Sequence, residues 1–197
     1  PLSFNLMGYV AIMASVGLMA RVVTDAEGVE SLIWAMLAPI TAVAAVASNG
    51  TLGVSQELFE SGACLLHLAG KSEKLMPRDP AGAAETLQWT IAALNSVETA
   101  SVPWWFLEVT GAKENGLTDF LESRLDGMEA VLKDREWLAA DRFTVADMLM
   151  TDVLRVKKIR EFGKRPASEA YVKRITERSA FKKAYDDQMS HFEAADK

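Results

Sequence analysis

The C-terminal two thirds of the chain carries a strong helical pattern of apolar residues. In one stretch, apolar residues recur every three or four positions: Leu117, Leu121, Leu125, Met128 and Leu132. This spacing puts one apolar side chain on the same face at each turn, so it predicts an amphipathic helix. A second apolar stretch follows Thr144 and predicts another helix: Val145, Met148, Leu149, Val153 and Val156. Thr144 and Asp147 have the spacing of a capping box, which we interpret as a structural helix start.

Proline and glycine mark the ends of the other predicted helices. Glu60–Ala69 predicts a short apolar helix that ends at Gly70, a favourable residue just past a helix end. Asp79 followed by Pro80 predicts an N-cap and the first residue of a longer helix. That helix is expected to bend near Pro103. A final pair of helices is expected after Pro166, carrying four large residues: Tyr171, Ile175, Phe181 and Tyr185.

The first 58 residues consist of short apolar runs separated by glycine, asparagine and proline. Leu2–Leu6 is a candidate strand and Gly8–Ala20 a candidate buried helix. Ser48-Asn49-Gly50 is a turn-forming sequence between two apolar runs, which suggests a hairpin. These features indicate a small α/β domain over residues 1–70, although short apolar runs fit strands and buried helices alike. An all-α domain is predicted over residues 79–197, after a polar connector.

Charge is nearly absent from the N-terminal region. Two stretches, Pro1–Ala20 and Ser31–Gln56, contain no charged residue. Each is long enough to span a membrane, so a membrane-anchored helical protein is one alternative. Polar residues such as Asn5 and Asn49 interrupt both stretches, and basic flanks are missing. These features favour buried strand–helix units, with neither membrane insertion nor a signal peptide expected.

The remaining composition excludes several classes of site. A net charge of −6 over 197 residues argues against a nucleic-acid surface. Lys157, Lys158 and Arg160 form a basic cluster, but acidic residues nearby favour a solvated helix face. The single cysteine, Cys64, rules out an intrachain disulfide and fits a cytoplasmic location. Together with His67 and His191 it is too sparse for a zinc or iron–sulfur site, so no metal is expected.

Glu60 and Ser61 open the short apolar helix that follows a predicted turn. Unpaired N–H groups at a helix start attract an anion, and the Ser61 hydroxyl adds another donor. The neighbouring Glu60 carboxylate can bind an ammonium group. Together these groups suit the carboxylate and amine of an amino-acid ligand. The alternative is a simple helix cap, in which Ser61 bonds only its own backbone. Cys64, inside the same helix, is interpreted as a core residue.

Several segments, taken in order, resemble bacterial cytosolic glutathione transferases. Phe59–Ala69 looks like the family's glutathione-binding helix start, and Leu75–Pro80 resembles its interdomain linker. Glu136–Asp147 resembles its C-terminal folding motif, and Tyr171–Ile175 resembles part of its closing helices. The resemblance covers residues 57–192. It implies an α/β thioredoxin-like N-terminal domain that binds glutathione, an all-α C-terminal domain and, usually, a homodimer.

The resemblance also implies roles for individual residues. Glu60 and Ser61 would bind the γ-glutamyl carboxylate and amine of glutathione, and the backbone of Val43 would bond its cysteinyl part. Ala44 stands where the family has a cis-proline. Because a cis bond before a non-proline residue costs about 3 kcal/mol, this departure predicts a weakened or remodelled loop. Tyr9 is the side chain that would stabilise the glutathione thiolate. Lowering the pKa of the glutathione thiol by about two units corresponds to about 2.7 kcal/mol. A tyrosine packed at a domain interface is the alternative.

The resemblance implies an enzyme of detoxification that transfers the sulfur of glutathione to a small electrophile. Trp104, next to Pro103, could line an apolar pocket for that second substrate, and helix packing is its alternative role. A non-catalytic binding or scaffolding protein on the same fold is the second hypothesis, which Ala44 favours.

Overall fold

The part of the chain that the computed structural model describes, residues 60–110 and 114–195, is built from helices. The helices are α1 (Ser61–Ala69), α2 (Pro80–Ala92), α3 (Thr99–Val109), α4 (Thr118–Lys133), α5 (Val145–Leu154), α6 (Lys157–Arg160), α7 (Pro166–Thr176) and α8 (Ser179–Ala195). A π-helical turn, Ala93–Glu98, joins α2 to α3. Most of the predicted N-terminal α/β domain lies outside the described residues.

The chain divides into two compact units. Glu73–Glu177 forms one unit, which contains α2 to α7. Helix α1 and helix α8 belong to the other. The domain bounds expected from the sequence, 1–70 and 79–197, stay a prediction.

The predicted helix starts are confirmed by their capping bonds. The Asp79 carboxylate accepts a hydrogen bond from the N–H of Gly82 at 2.7 Å, and Pro80 is the first residue of α2. Thr144 and Asp147 form the predicted capping box at the start of α5. Helix α1 ends at Gly70 as expected, but Gly70 has φ −57° and is right-handed. The glycine therefore ends the helix without the left-handed conformation that is usual at such a position.

The core of the larger unit forms around α5. Every residue of α5 except Asp152 is buried, because α2, the π-helical turn and α7 all pack against this helix. Helix α4 packs against α3 and α7 through the predicted stripe, and four of its five residues are buried: Leu121, Leu125, Met128 and Leu132.

Helix α2 buries small residues and exposes large apolar ones. Its buried positions are Gly82, Thr86 and Thr90. The two threonine hydroxyls are satisfied within the helix, donating to the carbonyl oxygens four residues earlier at 2.7 and 2.8 Å. Leu87 and Ile91, one turn apart on another face, are 46% and 42% exposed. The sequence predicted a bend near Pro103, but Pro103 lies inside α3 and the irregular turn precedes α3.

Candidate functional site

The start of α1 combines an unusual backbone conformation with uncapped helix donors. Glu60 has φ 70° and ψ 124°, a combination that costs a non-glycine residue about 1–3 kcal/mol. No side chain among the described residues caps this helix start. The Glu60 side chain is exposed and Ser61 is half-buried. The N–H groups of the first turn therefore lie beside one carboxylate and one hydroxyl, an arrangement that can bind an anion next to a cation.

Cys64 is part of the core, as its place in an apolar helix predicted. Its side chain is 1% exposed, and its N–H donates to the carbonyl oxygen of Glu60 at 3.0 Å. Burial raises the pKa of the Cys64 thiol, and the nearby charge of Glu60 raises it further. Because a protonated thiol is a poor nucleophile, Cys64 is unsuited to direct catalysis at neutral pH.

The other predicted site residues lie either outside the described residues or in the other compact unit. Tyr9, Val43 and Ala44 lie outside the described residues, so their roles stay predictions. Trp104 belongs to the other compact unit and is 4% exposed. Its role in a substrate pocket also stays a prediction.

Trp104 packs on one aromatic neighbour within its unit. Its ring lies against that of Phe162 with centroids 4.9 Å apart, and its carbonyl oxygen accepts from the Asn115 amide at 3.0 Å. Its buried indole N–H has no hydrogen-bond acceptor in the part of the chain that the structure describes. An unpaired buried N–H costs about 1–3 kcal/mol, so an acceptor reaching it would be favoured.

The densest polar network in the larger unit surrounds Asp147. Its carboxylate accepts from the N–H of Leu138 at 3.0 Å, the N–H of Thr144 at 2.8 Å and the hydroxyl of Tyr171 at 2.9 Å. Burial raises the pKa of Asp147 by more than these donors lower it. Burial, followed by the charge of Asp147, raises the pKa of Tyr171 well above its ordinary value. The network ties α5 to α7, which supports the structural interpretation of the capping box.

Two further acidic residues were missed by the sequence reasoning. The Glu129 carboxylate from α4 accepts three hydrogen bonds at the start of α7: from the N–H of Ala167, and from the N–H and hydroxyl of Ser168. Glu129 directly follows Met128 of the apolar stripe, and this adjacency was the available signal that it is buried. Asp152 is 12% exposed and pairs with Arg155 at 2.7 Å. Burial raises the pKa of Asp152 to about 6, although Arg155 opposes the shift.

Neither a metal centre nor a membrane span is found in residues 60–110 and 114–195. No three His, Cys, Asp or Glu side chains in these ranges are grouped to bind a metal ion. None of the described helices combines the length and apolar content needed to cross a bilayer.

Comparison with known families matches one segment of the helical part of the chain. Residues 118–179, from α4 to the start of α8, match the family model of the glutathione S-transferase C-terminal domain. No curated protein matches this chain in sequence.

Solved structures establish the fold beyond the matched segment. A glutathione transferase from Pseudomonas putida, crystallised with one glutathione disulfide per subunit, is 23% identical with a TM-score of 0.63 over 80% of this chain and 86% of that one. A glutathione S-transferase from Pseudomonas fluorescens is 23% identical with a TM-score of 0.54, and the match covers 62% of this chain and 65% of that one, a little under two thirds of its length.

A third structure with this fold is the nitrogen regulation fragment of the yeast prion protein Ure2p. It is 21% identical with a TM-score of 0.58, over 66% of this chain and 68% of that one. The fold is therefore that of glutathione transferases, with a helical C-terminal domain, and the chain resembles the glutathione S-transferase family through the C-terminal domain that residues 118–179 match.

Proposed function

We propose that this protein is a glutathione transferase, which joins the sulfur of glutathione to a small electrophile. The observation that carries the proposal is the start of α1, where Glu60 takes a costly backbone conformation beside N–H groups that no described side chain caps. Strain of this kind persists where the surrounding structure enforces it, and it is frequent at binding sites. The related Pseudomonas putida enzyme was crystallised with glutathione disulfide, which supports the choice of ligand.

In this proposal, the γ-glutamyl end of glutathione binds at the start of α1. The Ser61 hydroxyl and the first N–H groups of α1 donate to its carboxylate, and Glu60 accepts from its ammonium group. The backbone of Val43 bonds the cysteinyl part, and the Tyr9 hydroxyl donates to the thiolate. The thiolate sulfur then attacks the electrophilic carbon, and the leaving group departs with the bonding electron pair. Trp104 would line the pocket for the electrophile. The proposed location of the protein is the cytoplasm.

A binding and turnover experiment tests this function. Retention on immobilised glutathione, together with conjugation of an aromatic halide, is the expected result. Ser61→Ala removes a hydrogen bond to a charged group and should weaken glutathione binding about 10- to 100-fold. Ser72→Ala, a half-buried serine outside α1, is the matched control and should bind normally. Failure of both retention and conjugation would rule the proposal out.

A non-catalytic binding protein on the same fold is the second candidate. Ala44 in place of the expected proline favours it, and the Ure2p fragment shows that the fold also occurs in a nitrogen-regulation protein. Glutathione binding without turnover, unchanged in Tyr9→Phe, would select this candidate. A loss of turnover in Tyr9→Phe with binding intact would select the enzyme.

The proposal includes a homodimer, for which the surface of α2 provides support. Leu87 and Ile91 expose two large apolar side chains one turn apart on this helix. A second copy covering them would remove apolar area from water, which is favourable by about 25 cal/mol per Å².

A further inference from the structure

Within the described residues, packing and not hydrogen bonding orients the indole ring of Trp104. The backbone of this residue is fixed, because its carbonyl oxygen accepts from the Asn115 amide at 3.0 Å. The indole N–H, by contrast, has no acceptor within residues 60–110 and 114–195. The ring lies against that of Phe162, with centroids 4.9 Å apart and planes at 56°. Aromatic pairs of this geometry attract each other beyond the area they bury. Phe162 is therefore a main determinant of how the indole is turned.

Phe162 is itself held in place by Arg165, the residue before α7. Its carbonyl oxygen accepts from Nη1 of Arg165, and the same guanidinium lies over its ring, 5.7 Å from the centroid. Asp126 of α4 fixes the guanidinium, accepting from Nε at 2.9 Å and pairing with Nη2 at 2.8 Å. Gly163, with φ 79°, leaves room for the guanidinium, since a Cβ there would lie 2.8 Å from Nη1. A series of direct contacts therefore runs from Asp126 to Trp104.

We propose that Phe162 is a positioning residue, which favours aromatic electrophiles by fixing the ring of Trp104. This role rests on the function proposed above, in which Trp104 lines the electrophile pocket. Because Trp104 is 4% exposed, the part of its indole that can meet a substrate is small and depends on how the ring is turned. A flat aromatic electrophile gains from contact with a well-placed ring, whereas a small alkyl electrophile gains little. Phe162 acts through Trp104 and needs no contact with the substrate.

Phe162→Leu tests this role, because it removes the ring on which Trp104 packs and keeps an apolar side chain. The indole can then turn toward the freed space, so we expect the KM of an aromatic halide to rise about three- to tenfold. The kcat, the KM of glutathione and the KM of a small alkyl halide should each change less than about twofold, because the lost contact contributes to binding of the aromatic substrate alone. Phe162→Tyr keeps the ring and should retain the native KM. Equal KM changes for both halides, or no change for either, would overturn the role.

Phe143 provides a matched control. It is half-buried like Phe162, and its ring also packs on a tryptophan, with its centroid 5.6 Å from that of Trp137. Phe143→Leu should therefore lower the melting temperature by a similar amount and leave the KM of both halides unchanged. An equal rise in the KM of the aromatic halide in Phe143→Leu would overturn the role, because it would mean that lost stability causes the effect.

A double-mutant cycle shows whether Phe162 acts through Trp104. Trp104→Met removes the ring but keeps much of the apolar volume, and it should by itself raise the KM of the aromatic halide. Adding Phe162→Leu should then change that KM by less than about twofold, because the ring that Phe162 positions is gone. Independent effects of the two substitutions, which multiply in the double variant, would overturn the role.

Failure of this role can be told apart from failure of the proposed function. A native protein that conjugates neither halide would exclude the proposed function, and the role of Phe162 with it. A native protein that conjugates both halides, with a ratio of their KM values that is unchanged in Phe162→Leu, would exclude the role of Phe162 alone.

Discussion

The hydroxyl of Tyr171 donates to Oδ1 of Asp147 at 2.9 Å, inside the core that joins α7 to α5. Tyr171 is 1% exposed and Asp147 is fully buried. Removing the hydroxyl leaves the carboxylate with one donor fewer in a place that water does not reach. We therefore expect Tyr171→Phe to lower the free energy of unfolding by about 1–3 kcal/mol, measured by urea denaturation. Tyr185→Phe, at an exposed position, is the control. An equal effect of both substitutions would contradict this account.

Asp152 should make stability fall as the pH rises from mildly acidic values. Its pKa is raised from 3.8 to about 6 in the folded protein. Between these two pKa values the folded state holds a proton that the unfolded state has lost. The contribution of Asp152 to stability is therefore complete below the unfolded pKa and is lost above the folded pKa. The full change is at most about 3 kcal/mol.

Asp152→Asn should remove this part of the pH dependence. The unfolding free energies of the native protein and of Asp152→Asn are to be measured from pH 4 to 7. Their dependence on pH should differ below the folded pKa of about 6 and become the same above it. Asp147 also has a raised pKa, so some negative slope should remain in the variant. Unchanged slope in Asp152→Asn would show that Asp152 does not titrate in this range.

Glu129 should act in the opposite direction. Burial raises its pKa, but hydrogen bonds from Ser168 and Ala167 lower it by more in total, so the pKa lies below 4.5. Its contribution to stability is present above that value and is lost as the pH falls through the folded pKa.

Glu129→Ala removes the acceptor of three donors at the start of α7. We expect a loss of about 2–3 kcal/mol at pH 7, measured by urea denaturation, and a smaller loss in acid. Glu122→Ala, at an exposed position on the same helix, is the control. A loss that is independent of pH would argue against a charged Glu129.

Ala140 offers a site for stabilisation. It has φ 53° in the turn between Ala139 and Arg142, where a side chain costs about 1–2 kcal/mol. Ala140→Gly should therefore raise the free energy of unfolding by up to about 1 kcal/mol, after the entropy cost of glycine. The Ala140 N–H bond to Glu85 Oε2, at 2.8 Å, does not depend on the side chain. Ala84→Gly, at an exposed position inside α2, is the control and should lower the free energy of unfolding by about 1 kcal/mol. Thermal melting should therefore show a higher melting temperature for Ala140→Gly and a lower one for Ala84→Gly.

The Leu87–Ile91 surface of α2 provides a test of the proposed homodimer. Leu87→Glu/Ile91→Glu puts two charges on this surface, and we expect the protein to elute as a monomer in size-exclusion chromatography with light scattering. Because both side chains are exposed, the melting temperature of the monomer should change little. A native protein that is monomeric, or a variant that stays dimeric, would exclude this surface as the dimer contact.

The sequence predicted the helical C-terminal part well because its signals are local. Asp79, Thr144 and Pro166 mark helix starts through the residues next to them, and the Leu121–Leu132 stripe follows helical periodicity. The Gly82–Thr86–Thr90 face was not predicted. Its burial depends on close approach to α5, which hydrophobic periodicity does not encode.

The candidate site was predictable only in part, for a related physical reason. Glu60 and Ser61 could be found because a helix start has a local sequence signature. The positive φ of Glu60 could not, since glutamate gives no sign of a left-handed backbone. Glu129 was missed because its donors, Ala167 and Ser168, are 38 and 39 residues away in the sequence.

The Asp147 network has a consequence for how the protein reaches its fold. Its donors lie 9, 3 and 24 residues away, at Leu138, Thr144 and Tyr171. Short loops lose little chain entropy when they close, so these contacts can form early and quickly. Folding should therefore begin within residues 138–171, and the helices that are more distant in the sequence should pack against this segment afterwards.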